Sequence, residues 1–349
     1  MSKKKVVVVG GGIVGCITAL QLLERGCQVT LVERNVVASQ TSGESSWAGA
    51  GILFPLLPWM YKDAVNELAL EGAAIYRGFC EYLLTTTGIN PEYFACGMQI
   101  NYLTDDFKNG NAIQAIDWCE KNAIAFDKNS NGLFLPHVAQ VRPPKLLQAL
   151  RQALLQNDVT LLERTELKPL TSANSNNGIL KSWQTTTNQK LDADQFVVTS
   201  GAWSFELLKN TTPEINIKPM RGQILLYQTE EKLAHIIYEN GFYLVPRKDG
   251  LLLAGSTLED VGFDQNTTED VKQDLQIKAE KILPSLKDAT ILKHWSGLRP
   301  GTPDNLPNIS AHPTIKNLYL NTGHFRYGLT MAPASARRIV ALMCNDALQ

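Results

Sequence analysis

A glycine-rich turn near the amino terminus constrains the fold of this chain more than any other feature. Val6–Val9 is a short β-branched apolar run, and the segment Gly10–Gly15 that follows it has the spacing GxGxxG. Apolar residues then recur at helical spacing within residues 13–23, and a second apolar run, Gln28–Val32, comes next. A buried strand, a tight turn, a helix and a second strand in this order predict the first unit of a doubly wound parallel sheet.

The residues of the turn are suited to holding a dinucleotide. Gly10 permits the tight turn, Gly12 lets the backbone approach a pyrophosphate, and Gly15 allows the helix to pack closely on the strand. The helix begins near Ile13 and Val14, so its unpaired N–H groups and the positive end of its dipole would face the phosphates. We therefore predict a dinucleotide at this turn.

An acidic residue follows the second strand of the unit. Glu33 stands at the tip of that strand, where its carboxylate would accept hydrogen bonds from a ribose hydroxyl pair, and Arg34 is assigned to the same site. A carboxylate here disfavours a 2′-phosphate, so NADP is not expected. The motif alone leaves FAD and NAD both open.

Length and composition define the broad class. A chain of 349 residues suggests two domains, and a net charge of −1 lacks the basic balance of a nucleic-acid-binding protein. The six cysteines form no CxxC pair, which predicts reduced, mostly buried thiols and no metal site. Three consecutive glycines interrupt the apolar amino-terminal run, so we predict no targeting or transmembrane segment and a cytoplasmic protein.

Several further segments complete a family resemblance. The sequence resembles the glycine oxidase/D-amino-acid oxidase family of FAD enzymes over nearly its whole length. The strong matches are residues 6–33, 44–53, 297–304 and 323–329, and the weaker ones are residues 199–204 and 220–223. The last two strong matches resemble the glycine oxidases of thiamine biosynthesis in particular. The resemblance implies FAD, and no cysteine or histidine stands at a recognisable position for a covalent flavin bond.

The same resemblance assigns the cofactor site by position. The small and hydroxyl residues within 39–53 would surround the flavin, and Leu167 would contact the adenine through its backbone. Besides the amino-terminal residues named above, the assigned set is Ser45, Ser46, Ala50, Gly51, Ile52, Leu167, Gly201, His324, Phe325, Arg326, Tyr327, Gly328, Leu329 and Thr330.

Three residues are assigned to the substrate. Arg299 offers a planar fork that matches a carboxylate, and the sequence Leu-Arg-Pro-Gly around it predicts a constrained turn that fixes its direction. The resemblance implies that the Tyr243 hydroxyl also reaches the carboxylate and that Arg326 lies near flavin and substrate. It implies hydride transfer from a neutral amine, which needs no side-chain base, so His324 is assigned to the loop around the flavin and no residue is predicted to be catalytic.

The remaining patterns predict the second part of the fold. Residues 141–155 predict an amphipathic helix, and Asn177-Gly178 and Asp249-Gly250 predict two hairpins. A final helix is expected from near Ala332-Pro333 through Ala341, with its N-terminus aimed at the flavin. The fold class is α/β, a Rossmann-like FAD-binding domain with an interleaved α+β substrate domain built on a mostly antiparallel sheet.

The predicted domain boundaries follow from this division. The FAD-binding domain comprises residues 1–88, 139–216 and 296–349, and the substrate-binding domain comprises residues 89–138 and 217–295.

The predicted reaction is the oxidation of glycine or another small D- or N-methyl amino acid, giving a 2-oxo acid, ammonia and hydrogen peroxide. A dehydrogenase that passes electrons to a quinone is one alternative, and a non-catalytic flavin-binding subunit is another. Departures from the family pattern leave the substrate open: Tyr327 stands where asparagine is common, and Leu258 stands near a frequent methionine. The apolar segment 52–60 would line the site entrance or a homo-oligomer interface.

Overall fold

The computed structural model describes residues 3–39, 43–102, 111–212 and 214–345, so residues 40–42 of the predicted flavin loop lie outside the described chain. The α-helices are Ile13–Glu24, Ser45–Ala48, Asp63–Thr87, Asn111–Lys121, Pro143–Gln156, Ser204–Leu208, Glu269–Ile282 and Gly328–Cys344. Short 3-10 helices are Pro58–Met60, Ser172–Asn174, Gly201–Trp203, Pro284–Asp288 and Phe325–Tyr327.

A six-stranded sheet carries the amino-terminal glycine turn. Its strands, in spatial order, are Asn308–Ala311, Leu318–Thr322, Gln195–Val198, Lys5–Val9, Gln28–Val32 and Thr160–Leu162. All neighbours are parallel except the first pair, which is antiparallel. The amino-terminal unit is therefore the start of a doubly wound sheet, as its pattern predicts.

The strand Lys5–Val9 shows why its sequence is apolar throughout. Val6 and Val8 pack into a core with the helices Ile13–Glu24 and Pro143–Gln156, whereas Val7 and Val9 pack into a second core on the opposite face. Successive side chains of a strand point to opposite faces, so a strand covered on both faces must be apolar at every position.

An eight-stranded sheet forms the second part of the fold. Its strands, in spatial order, are Thr290–Gly301, Lys218–Gln228, Leu251–Gly255, Phe242–Pro246, Ile236–Glu239, Met98–Asn101, Gly132–Leu135 and Asp127–Asn129. Only Ile236–Glu239 and Met98–Asn101 pair in parallel within this sheet. The predicted mostly antiparallel sheet, with strands from the region before residue 138, is confirmed.

Smaller features of the sequence also meet the structure. Asn177-Gly178 and Asp249-Gly250 each lie at the turn of a β-hairpin, and the helix Pro143–Gln156 begins at the predicted prolines. Three short sheets complete the strands: Ser175–Asn176 with Ile179–Leu180, Ser182–Gln184 with Lys190–Asp192, and Phe94–Ala95 with Ala139–Gln140. The predicted fold class is confirmed. The domain boundaries stay a prediction, and the strand Thr290–Gly301 runs across the one at residue 296.

The described helices and thiols carry two further observations. None of the described helices is both long and apolar enough to cross a lipid bilayer. All six cysteines are free thiols, and four of them are buried, as predicted.

The two large sheets meet at the segment that follows residue 43. Glu44 forms a bridge with Leu298 of the strand Thr290–Gly301, and the Trp295 indole donates to the Ala48 carbonyl at 3.1 Å. The carboxyl end of the strand Lys5–Val9 therefore opens toward the strand that carries Arg299. In doubly wound folds, ligands bind outside the carboxyl ends of the parallel strands.

Candidate active site

A cavity of about 390 Å³ extends along this junction. Every residue that the sequence assigned to cofactor or substrate lines it except Gly15. A Cβ atom on Gly15 would stand 1.9 Å from the Gly10 carbonyl oxygen, so this glycine serves the close packing of helix on turn. Gly10 has a φ of +112°, a backbone conformation that favours glycine.

The cavity wall at the glycine turn is bare backbone. A Cβ atom on Gly12 would meet only the Ser46 hydroxyl, at 3.1 Å, and would fill space at the start of the helix Ile13–Glu24. The Ser46 hydroxyl also accepts the Ile13 N–H at 3.1 Å. This hydrogen bond thus joins the glycine turn and the helix Ser45–Ala48 at the N-terminus of the helix Ile13–Glu24, which is the positive end of its dipole.

Glu33 is fixed by the backbone of the turn. Its carboxylate oxygens accept the N–H groups of Gly11, at 2.8 Å, and of Asn35, at 2.9 Å. Burial raises the pKa of Glu33, and these two hydrogen bonds oppose that shift. A carboxylate has about four acceptor sites, so the group keeps capacity for a ligand hydroxyl in the cavity that it lines.

Aromatic side chains frame the far end of the cavity. The Arg34 guanidinium lies 3.9 Å from the centre of the Trp203 ring, and Trp203 stacks on Phe263 with ring centroids 5.7 Å apart. Leu167 is buried there and bridges to Thr185. This end offers flat apolar and cationic surfaces, which suit a purine ring.

The half-buried Arg247 anchors the segment Ala50–Ile52. Arg247 donates to the carbonyl oxygens of Ala50, at 2.7 Å, and of Val141, at 3.0 Å, and to the Gln140 side chain. Burial lowers the pKa of Arg247 to about 10, so the group stays protonated at neutral pH. Its three acceptors fix the position of this wall of the cavity.

Two guanidinium groups define the other end of the cavity. Arg299 donates to the Thr257 carbonyl oxygen at 3.1 Å and to the Ser256 hydroxyl at 2.8 Å, and the Tyr243 hydroxyl interacts with it. Among the described residues, no Asp or Glu carboxylate lies within 4 Å of the Arg299 or Arg326 guanidinium. Burial lowers the pKa of Arg299, and the charge of Arg326 lowers it further. This end of the cavity is therefore electropositive.

The prediction that Arg299 sits in a turn is wrong. The residue lies within the strand Thr290–Gly301, opposite Met220 of the neighbouring strand. That strand is at the edge of the eight-stranded sheet, so the missing N–H of Pro300 need not break a ladder on its open side. The guanidinium direction is set by contacts across the sheet.

The prediction for the last helix needs a similar correction. It begins at Gly328, four residues before Ala332, and Pro333 lies inside it. A proline there leaves the carbonyl of Leu329 without its helical donor, and the Tyr76 hydroxyl donates to that carbonyl instead. The helix N-terminus consequently reaches the cavity wall, where Gly328 lies.

His324 is buried beside this helix. It is 2% exposed, and its Nε2 atom has no hydrogen-bond partner within the described chain. Burial lowers the pKa of His324 to about 3. The ring is therefore neutral at physiological pH, and an imidazole of such low basicity is a poor general base.

The buried histidine predicts a pH dependence of stability. Between pH 6.5 and about 3, the unfolded chain binds a proton at His324 that the folded protein does not, so the free energy of unfolding falls as pH is lowered through this window. The free energy of unfolding can be measured with urea at pH 7 and at pH 4.5, with FAD in fixed excess. We expect its decrease between the two pH values to be about 2 kcal/mol smaller in His324→Gln than in the wild type. The exposed His137→Gln is the control and should keep the wild-type loss; equal losses in all three proteins would refute the assignment.

Several lining residues were not assigned from the sequence. They include Glu44, Phe54, Leu56, Glu166, Trp203, Ser256 and Asn321. Asn321 had a usable signal, because it is an amide that directly follows the apolar run Leu318–Leu320 within a buried strand. Ser256 had none, since only the folded position of the segment after the strand Leu251–Gly255 brings it to Arg299 and the cavity.

The residues present fit FAD. The glycine turn leaves a space that a side chain at Gly12 would fill. Two buried polar atoms at the cavity, Asn321 Oδ1 and His324 Nε2, have no hydrogen-bond partner among the described residues. A buried polar atom without a partner is costly, so each favours a polar ligand at that place.

Comparisons with known proteins agree with this geometry. The profile of the DAO family, described as FAD dependent oxidoreductase, matches residues 5–342. A glycine oxidase of Pseudomonas aeruginosa is 36% identical over 97% of this chain and 94% of its own length. The bifunctional protein ThiO/ThiG of a Nostoc species is 30% identical over 98% of this chain and 53% of its own length.

Solved structures show the same relation. Glycine oxidase from Bacillus cereus superposes with a TM-score of 0.88 at 25% identity, covering 98% of this chain and 95% of that one. The FAD cofactor implied by the resemblance is thereby confirmed. The chain belongs to the DAO family of FAD-dependent oxidoreductases and, within it, to the amino-acid oxidases of the glycine oxidase type.

Proposed function

We propose that this enzyme oxidises glycine or another small D- or N-methyl amino acid to the 2-oxo acid, with O2 as electron acceptor. The observation that carries the proposal is the pair of guanidinium groups, Arg299 and Arg326, that face one cavity without a carboxylate partner among the described residues. A guanidinium group that lines a cavity and has no protein carboxylate beside it is a strong site for the carboxylate of an amino acid.

The substrate would be held at its carboxylate. Arg299 would make two parallel hydrogen bonds to it with the face left free by Thr257 and Ser256, and the Tyr243 hydroxyl would add a third. The positive charges of Arg299 and Arg326 disfavour an ammonium group nearby, so they would favour the neutral amine from which a hydride can leave. The apolar side chains of Phe54 and Leu56 would limit the space for a substrate side chain.

The cofactor would be held by the residues assigned above. The glycine turn and Glu33 would bind the pyrophosphate and ribose, Leu167 and Trp203 would enclose the adenine, and the segment Ala50–Ile52 with the helix Gly328–Cys344 would flank the flavin. Bound FAD supplies the hydride acceptor at N5. The helix N-terminus at Gly328 would stabilise negative charge that develops on the ring.

The overall stoichiometry follows. Amino acid, O2 and water give 2-oxo acid, ammonia and hydrogen peroxide, because the imino acid formed by hydride loss is hydrolysed by water. For an N-methyl substrate the amine product is methylamine. We expect the enzyme to work in the cytoplasm.

The test is an absorbance spectrum of the purified protein, recorded before and after glycine is added without oxygen and again after oxygen is admitted. We expect flavin bands that bleach with glycine and return with one equivalent of peroxide. Bleaching with slow return, accelerated by a quinone, would make the enzyme a dehydrogenase. Flavin bands that respond to none of glycine, N-methylglycine and D-alanine would refute the proposal and favour a non-catalytic flavin subunit.

A further inference from the structure

A buried arginine on the strand next to Arg299 organises the loop that follows residue 255. Arg221 is 4% exposed, and its guanidinium donates to Glu259 at 2.7 Å and to Asp264 at 2.6 Å. It also donates to the Asn266 carbonyl oxygen at 2.7 Å. One side chain thus holds three points of the same loop.

Glu259 collects hydrogen bonds from both sides. Besides Arg221, the Gln223 side chain donates to it at 3.0 Å and the Thr257 hydroxyl donates to it at 2.5 Å. Burial alone would raise the pKa of Glu259, but the bonds from Arg221, Thr257 and Gln223 outweigh it and hold the pKa below its ordinary value. The carboxylate is therefore ionised at neutral pH and fully engaged.

Thr257 connects this carboxylate to Arg299. Its hydroxyl donates to Glu259 and accepts the Gln223 N–H at 2.8 Å, whereas its carbonyl oxygen accepts from Arg299 at 3.1 Å. The neighbouring Ser256 hydroxyl accepts from the second guanidinium nitrogen at 2.8 Å. The Thr257 and Ser256 contacts of the Arg299 fork thus come from one dipeptide, whose position is set through Thr257.

The opposite side of the Arg299 fork is a glycine backbone. A Cβ atom on Gly222 would stand 2.0 Å from Nη1 of Arg299, so the guanidinium lies directly against the strand Lys218–Gln228. Arg221 and Gln223 flank this glycine and, by strand alternation, point to the other face. The guanidinium is confined between Gly222 and the segment 256–257, and the position of that segment decides its direction.

We propose that Glu259, held by Arg221, is a positioning residue for the carboxylate-binding arginine. It fixes the Thr257 hydroxyl, and the Thr257 carbonyl and Ser256 hydroxyl then aim the Arg299 guanidinium at the cavity. This inference rests on the proposed function, since it assigns to Arg299 the substrate carboxylate. A fork displaced by a fraction of an ångström loses one of its two parallel hydrogen bonds, so binding is sensitive to this support.

The first experiment removes the charge of Glu259 and keeps its shape. For purified FAD-loaded Glu259→Gln we expect the Kd of acetate, read from the flavin absorbance change, and the KM for glycine to rise roughly tenfold. The kcat should change less than about threefold, and the FAD content should remain that of the wild type. The control is Glu71→Gln, which breaks a half-buried 2.8 Å ion pair with Arg338. This pair lies on helices away from Arg299, so the acetate Kd should be unchanged.

The outcomes separate this inference from the proposed function. A wild-type enzyme that binds no acetate would overturn the carboxylate site and the inference with it. A wild-type enzyme that binds acetate, with a Glu259→Gln variant of unchanged Kd, would overturn the inference alone. A variant that is less stable or loses FAD, but whose loaded fraction binds acetate normally, would show a purely structural role and would also overturn it.

A second set of variants tests the route through the hydroxyl. Thr257→Val removes the hydroxyl with little change of shape and should raise the acetate Kd by about as much as Glu259→Gln, while Thr257→Ser should keep the wild-type Kd. If both residues act through one contact, the double variant should bind acetate no more weakly than either single variant within about twofold. Fully multiplicative effects would contradict the proposed route.

Discussion

Replacing Arg299 with alanine is expected to raise the KM for the amino acid roughly 10²- to 10³-fold, because a charged partner of the carboxylate is lost from a buried site. The bound FAD should remain, since the residues proposed to hold the cofactor line the rest of the cavity. Steady-state kinetics with glycine, together with the flavin absorbance per protein, measure both quantities. Arg299→Lys keeps the charge but not the planar fork, so it should fall between alanine and wild type.

Arg338→Ala is the matched control for this result. Arg299 is proposed to pair with the substrate carboxylate, whereas Arg338 pairs with the Glu71 carboxylate on a helix surface away from the cavity. Its KM should stay within about twofold of the wild type, because Arg338 and Glu71 do not line the cavity and distant sites act independently. A normal KM in Arg299→Ala would mean that another group binds the carboxylate and that the assignment of Arg299 is wrong.

Replacing Gly12 with valine is expected to give a folded, colourless protein. The new side chain would project from the start of the helix Ile13–Glu24 into the cradle beside Ser46, where a Cβ atom alone already stands 3.1 Å from the hydroxyl. We expect the FAD content of the purified protein to fall at least roughly tenfold, because the backbone could no longer approach the pyrophosphate. Absorbance near the flavin bands and far-ultraviolet circular dichroism separate loss of cofactor from loss of fold.

Gly78→Val is the control for that substitution. Gly78 lies on the exposed face of the helix Asp63–Thr87, and a Cβ atom there would meet nothing within 4 Å. The variant should retain the wild-type FAD content. A yellow, FAD-replete Gly12→Val protein would refute the role given to the glycine turn.

The glycine turn and Glu33 are local in sequence, which is why this part of the proposed cofactor site could be predicted from the chain. The turn after Val9, the helix after Gly12 and Glu33 are all set within about thirty residues by steric and periodic rules. The same rules predict the helix Pro143–Gln156 and both hairpins, because prolines and Asn-Gly or Asp-Gly pairs act through their own backbone angles.

The substrate end depends on long-range pairing. Arg299 was expected in a turn because Pro300 and Gly301 follow it, but pairing with the strand Lys218–Gln228 makes this segment an edge strand. Pro333 was expected to begin the last helix, but the Tyr76 hydroxyl, from a helix more than 250 residues earlier, satisfies the carbonyl that the proline leaves open. Local propensity gave way in both cases to a tertiary contact.

The sequence by itself determined the dinucleotide unit, the fold class and the chemical type of the residues at the site. Only the tertiary structure decided which groups aim Arg299, because Gly222 and the segment 256–259 are far from Arg299 in sequence and carry no local motif. Periodicity and steric preference act over a few residues, whereas the direction of a buried guanidinium depends on acceptors that the folded sheet brings within hydrogen-bond distance.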